Sequence, residues 1–90
     1  MVYLSGQVLT PNGSSRDCTL PAGTNLVMIA ANGGDVFYAI NPGAAAASAD
    51  SPGYILSGQR FGVFEVVNLT NLKVFTAAGA TKVHLEYYAA

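Results

Sequence analysis

Charge is what this sequence has least of. Its 90 residues include four Lys/Arg and five Asp/Glu, 10% of the chain, for a formal net charge of -1. An ordinary soluble domain carries about 25%. That balance excludes a basic stripe able to grip a nucleic-acid backbone. With 51% hydrophobic residues, it also excludes disorder driven by charge repulsion. The one cysteine, Cys18, permits neither an internal disulfide nor a Cys-rich metal site, so apolar packing or association must hold the fold. There is no tryptophan, and few aromatics stand beside basic residues, so a stacking platform for single-stranded nucleic acid is not expected. The one histidine is His84, and a catalytic triad or zinc site would have to gather its other members from elsewhere. Long hydrophobic runs are missing too. Leu26 to Ala31 is the longest, far below the roughly 20 residues a membrane-crossing helix needs. Met1 to Gln7 has no basic segment ahead of an apolar core and does not read as a signal peptide. The chain is expected to be made in a cytoplasm, with no membrane partner.

What is present is a series of short strand-forming runs cut by turn residues. A mass of 9.3 kDa allows one small core and one domain, residues 1–90. Strands are expected at Val2–Leu9, Arg16–Leu20, Asn25–Ala31, Val36–Ile40, Tyr54–Leu56, Arg60–Val67, Leu72–Thr76 and Thr81–Tyr88. Seven or eight strands at roughly ten-residue spacing predict an all-β fold, a compact antiparallel β-sandwich or a jelly-roll-like small barrel. No stretch has helical periodicity long enough to cover a parallel sheet. Asn32-Gly33-Gly34-Asp35 predicts a tight hairpin between its neighbours, because Asn and Gly tolerate positive φ. In the strand before it, both parities are apolar, which places it inside a layered structure or at an interface. In the last strand Val83, Leu85 and Tyr87 share one parity; Lys82, His84, Glu86 and Tyr88 share the other. The Phe residues are expected to fill the core. Residues 41–53 read as an irregular surface loop with one helical turn at Ala44–Ala47, bracketed by Pro42-Gly43 and Pro52-Gly53.

None of the candidate chemical motifs is complete. Asp17, Asp35, Asp50, Glu65 and Glu86 are scattered. Asp35 reads as a turn residue bonding local backbone N–H groups, and it lacks the companion ligands of a calcium loop. Gly33-Gly34 has no Lys-Ser/Thr after it and is no phosphate loop. Asn12 and Asn68 match the glycosylation acceptor pattern without other signs of secretion. Cys18 reads as a small buried hydrophobe, with Arg16 two residues away as the only activating cation. His84 reads as a surface or interface side chain. No catalytic residue, cofactor or metal is expected.

A surface this poor in charge packs against protein with little desolvation cost and leaves its edge strands weakly guarded. A homo-oligomer or larger shell is therefore expected. Tyrosine suits contacts with one wet end. The contacts expected are Tyr3, Tyr54, Tyr87 and Tyr88, with His84 and with Pro42, Ala45 and Ala46 of the loop.

Three stretches carry a resemblance: Leu26 to Ile40, Ser51 to Gln59, and Val83 to Tyr88. In sequence they resemble the central hairpin, turn-rich crossover and closing strand of small virion proteins of tailed bacteriophages, most of all head decoration or cement proteins. The resemblance implies a non-enzymatic structural subunit, commonly a homotrimer. Such a subunit binds the major capsid protein across coat-subunit junctions on the virion surface after synthesis in the bacterial cytoplasm. The chain departs from some such proteins in having no long basic or Pro-rich N-terminal arm. A neck, tail or fibre subunit and a carbohydrate-binding or adhesion module are the alternatives.

Overall fold

The computed structural model describes residues 1–40, 45–65, 67–77 and 79–90. Pro42, and with it part of the expected helical turn, lies outside the described residues. Among the described residues there are eight strands: β1 Val2–Leu9, β2 Ser15–Asp17, β3 Leu26–Asn32, β4 Val36–Ile40, β5 Gly53–Ile55, β6 Arg60–Phe64, β7 Leu72–Phe75 and β8 Lys82–Ala89. They form two four-stranded antiparallel sheets, β1-β8-β3-β6 (sheet A) and β2-β7-β4-β5 (sheet B). The all-β sandwich expectation holds, and neither sheet closes into a barrel.

Alternation builds the core. The inward parity of β8 buries Val83, Leu85 and Tyr87, and that of β3 buries Val27, Ile29 and Ala31; sheet B contributes Val36, Ile55, Leu72 and Val74. Buried Thr24 closes on its own turn through Oγ1, which donates to Pro21 O at 2.7 Å. Among the described residues no buried side-chain polar atom lacks a hydrogen-bond partner.

Two expectations are corrected. The first is the hairpin. β3 belongs to sheet A and β4 to sheet B, and both edges of β3 are occupied, by β8 and β6. No edge remains for β4 to pair with, so residues 33–35 form a corner between layers. The glycines serve that corner. Gly33 has φ 92°. A Cβ on Gly34 would come within 2.2 Å of Thr81 Oγ1, which donates to Gly33 O at 3.3 Å.

The second correction concerns phenylalanine. None of the four is in the buried core. Phe37 and Phe75 lie half-buried on the outer face of sheet B, while Phe61 and Phe64 are 57% and 60% exposed on the edge strand β6. The space between the sheets is filled by branched aliphatics and Tyr87, with Val63 as the inward residue of β6.

The connection from β4 to β5 is anchored where it is described: Ala47 is buried and its N–H donates to Ser15 Oγ at 2.9 Å. No helix appears among the described residues 45–52.

Candidate interaction surface

Register determines what each sheet shows to solvent. On the outer face of sheet A, paired residues line up in rows running across all four strands. Tyr3 pairs with Tyr88, Tyr88 with Leu26, and Leu26 with Phe64. The next row is Gly6, Glu86, Met28 and Gly62, and the one after is Val8, His84, Ala30 and Arg60. The first row is wholly apolar or aromatic. Tyr3 is 56% exposed, and its ring meets Tyr88 edge-on at 5.6 Å between centroids. Beside this row, Met1 and Val2 are also exposed. A glycine ends the second row on each edge strand, Gly6 beside Glu86 and Gly62 beside Met28, and a shallow hollow opens on this face, lined by Met28, Ala30, Arg60, His84 and Glu86. Arg60 crosses this face to Glu86, Nη2 to Oε1 at 2.6 Å.

The outer face of sheet B is different. Phe37 packs against Tyr54 at 4.9 Å and against Phe75 at 6.2 Å. Tyr54 OH donates to Asp35 Oδ2 at 2.8 Å, and Lys73 Nζ pairs with Asp17 Oδ1 at 2.7 Å. These aromatics satisfy one another.

The expected contact residues therefore divide. Tyr3 and Tyr88 meet on the outer face of sheet A, and His84 lies on the same face two rows away. Tyr54 lies on the opposite outer face, half exposed, and Ala45 and Ala46 are exposed beside β4. Tyr87 is corrected: it is 1% exposed, its ring is in the core, and its OH donates to Gln7 Oε1. Period-two alternation forces this, because Val83 and Leu85 of the same parity face sheet B. Sequence reasoning missed Phe64, Leu26 and Met28. The signal available was the double apolar parity of β3, whose outer set no third layer covers among the described residues.

Groups with potential chemistry are kept apart. Burial pushes the Cys18 thiol up to about 12, with a smaller opposing effect from the Tyr87 hydroxyl. Such a thiol is unreactive at neutral pH, and Arg16 does not offset it. Desolvation likewise pushes the Tyr87 phenol well above its ordinary range. Asp35 accepts from Ser57 N–H at 2.8 Å and from Tyr54 OH, so its partners are distant in sequence and not local as expected. The Ser57 N–H, then the Tyr54 hydroxyl, hold this carboxylate below its ordinary value. The Asn12 amide links two loops, Oδ1 accepting from Gly79 N–H at 2.9 Å. Among the described residues no three His, Cys, Asp or Glu gather into a metal site. The hollow between β4 and residues 45–53 has Asp50 as its one carboxylate, set among Tyr38, Ile40, Ala46 and Ser48. No protein-family model, no curated protein and no solved structure matches this chain.

Proposed function

We propose that this chain is a non-enzymatic assembly subunit that lies flat on another protein through the outer face of sheet A, in the manner of a decoration or cement protein on a phage head. The observation that carries the reading is the row Tyr3–Tyr88–Leu26–Phe64, continuous across four strands and covered by no layer among the described residues. A sheet face exposed to water normally alternates apolar-in with polar-out. Here both faces of β3 are apolar, and among the described residues no layer covers the second. Contiguous exposed apolar surface of this kind marks protein contact sites. The sparse charge fits, because little must be desolvated on docking.

The mechanism is passive. Area buried at a coat junction adds to the free energy needed to open the shell, through linkage between binding and stability. Tyr3 and Tyr88 are the expected anchors, with Leu26 and Met28 excluding water around them. The test is a reconstruction of particles carrying the chain, with and without the double substitution Tyr3→Ser, Tyr88→Ser. The expected result is density over coat junctions, sheet A inward, and reduced occupancy in the variant. Full occupancy in the variant, density with sheet A facing solvent, or no density on the particle overturns the reading.

A further inference from the structure

The sandwich has four edge strands, and three carry a recognised guard against pairing with another chain. β1 has a register break between Tyr3 and Ser5, and β2 and β5 are only three residues long. β6 runs Arg60-Phe61-Gly62-Val63-Phe64 without a register break against β3 and without proline. Its single charged side chain is turned back over the sheet to Glu86.

The ladder with β3 shows which backbone groups of β6 face outward. Glu65 N–H donates to Asn25 O at 2.9 Å, and Ala31 N–H donates to Gln59 O at 3.0 Å. These bonds bracket the register, in which Val63 pairs with Val27 and Phe61 with Ile29. Hydrogen-bonded and non-bonded pairs alternate along an antiparallel ladder. Phe61 and Val63 therefore bond to β3, and the N–H and C=O of Arg60, Gly62 and Phe64 point to the open edge.

We propose that β6 pairs antiparallel with β6 of a second copy of this chain, about a two-fold axis through Gly62. The strand is self-complementary in that register. Gly62 meets Gly62 of the second copy, and Arg60 meets Phe64 in both directions, so all the outward backbone groups of both strands are used. Shifting the partner by two residues leaves an end pair unmatched. Charge selects the same arrangement: a parallel one would set Arg60 beside Arg60, whereas here each Arg60 keeps its ion pair with Glu86 and lays its aliphatic stem beside the Phe64 ring of the other copy. On the other face Phe61 meets Val63, which covers the 57% exposed Phe61 ring. Gly62 suits the axis because its own side is occupied: a Cβ there would lie 3.0 Å from Met28 Sδ. The product is a continuous eight-stranded sheet that doubles the outer face of sheet A, closed at two copies because the interface is isologous. It does not depend on the particle reading.

The test is sedimentation of the wild type, Phe64→Lys and Phe64→Glu from micromolar up to about 1 mM, with amide exchange followed by NMR. Phe64 is 60% exposed, so both variants are expected to fold, and circular dichroism checks this. The wild type should show a monomer–dimer equilibrium, with the amides of residues 60, 62 and 64 gaining protection as concentration rises. Phe64→Lys places one cation opposite Arg60 of the other copy at each of the two symmetric contacts and should weaken dimerisation about tenfold or more. Phe64→Glu places carboxylates there and should keep it. A wild type monomeric throughout, a trimer as the associated species, equal weakening by Lys and Glu, or no concentration-dependent protection at residues 60, 62 and 64 overturns the proposal.

Discussion

The buried contact between Tyr87 and Gln7 gives a sharp test of how the sandwich is held together. Tyr87 is 1% exposed and its OH donates to Gln7 Oε1, which also accepts from Thr19 N–H at 2.8 Å. One side-chain oxygen on β1 thus serves β8 and the segment after β2. The two ways of breaking the contact differ in cost. Tyr87→Phe removes a donor and leaves Gln7 still bonded to Thr19, so the loss is that of one hydrogen bond, about 0.5–1.5 kcal/mol. Gln7→Leu leaves a buried hydroxyl without its acceptor, which costs about 1–3 kcal/mol. The Cys18 thiol beside it is only a weak acceptor. Thr19 is exposed, so its N–H returns to water at little cost. The double variant has no orphaned hydroxyl and should be more stable than Gln7→Leu alone. Urea titrations of the four proteins measure this, and thermal midpoints should follow at about 4–8 °C per kcal/mol for a domain of this size. If Tyr87→Phe proved as costly as Gln7→Leu, or if the double variant lost the sum of the two, the assignment of Gln7 Oε1 as the buried acceptor would be refuted.

Two further predictions come from ionisable groups. Ser57 N–H and Tyr54 OH hold the Asp35 carboxylate below its ordinary value of 3.8. Its contribution to stability is therefore complete above about pH 4 and is lost as pH falls through the lower folded value. Asp35→Asn keeps an acceptor oxygen and should flatten the acid limb relative to wild type; parallel curves of urea midpoint against pH would contradict the contact. Cys18, held at about 12 by burial, is about one part in ten thousand thiolate at pH 8. A disulfide reagent should label it only as fast as the protein opens, with a rate that rises in urea, and immediate labelling of the folded chain would show the site is open.

How far the sequence could be read depended on whether a local signal had one structural meaning. The strict alternation of Val83, Leu85 and Tyr87 against Lys82, His84 and Glu86 has one, a strand with a wet face and a dry face, and β8 follows it. Read strictly, the same alternation removes Tyr87 from any surface; pairing it with Tyr88 as an anchor weighed residue type above parity. Asn32-Gly33-Gly34-Asp35 has two meanings, because positive φ serves a hairpin and an inter-layer corner equally, and the choice rests on β6 and β8 claiming both edges of β3. The connectivity hid this. Of the strand pairings, β4 with β5 is the one between consecutive strands, so nearly every partner is set by tertiary contacts. The candidate surface was legible only in part. Tyr3, Tyr88 and His84 could be named from type and parity, but Phe61 and Phe64 flank Val63 in a run where hydrophobicity cannot separate a core ring from one at an edge.

The two outer faces bear on whether the exposed apolar surface has a purpose. Both carry aromatics, so composition alone does not separate them. On sheet B the rings pack on one another, Tyr54 is tied to Asp35, and an ion pair lies one row away. That face is complete as it stands. On sheet A the apolar row runs to the unguarded edge and ends at Phe64, with Phe61 exposed beside it. An exposed Phe at a strand edge contributes little to folding and invites association. In a domain of this size the margin of stability is about 5–13 kcal/mol. A partner present at one hundred times its dissociation constant adds about 2.7 kcal/mol, a sizeable fraction of that margin. Sheet A is thus the face on which the proposed association would add most to the stability of the fold.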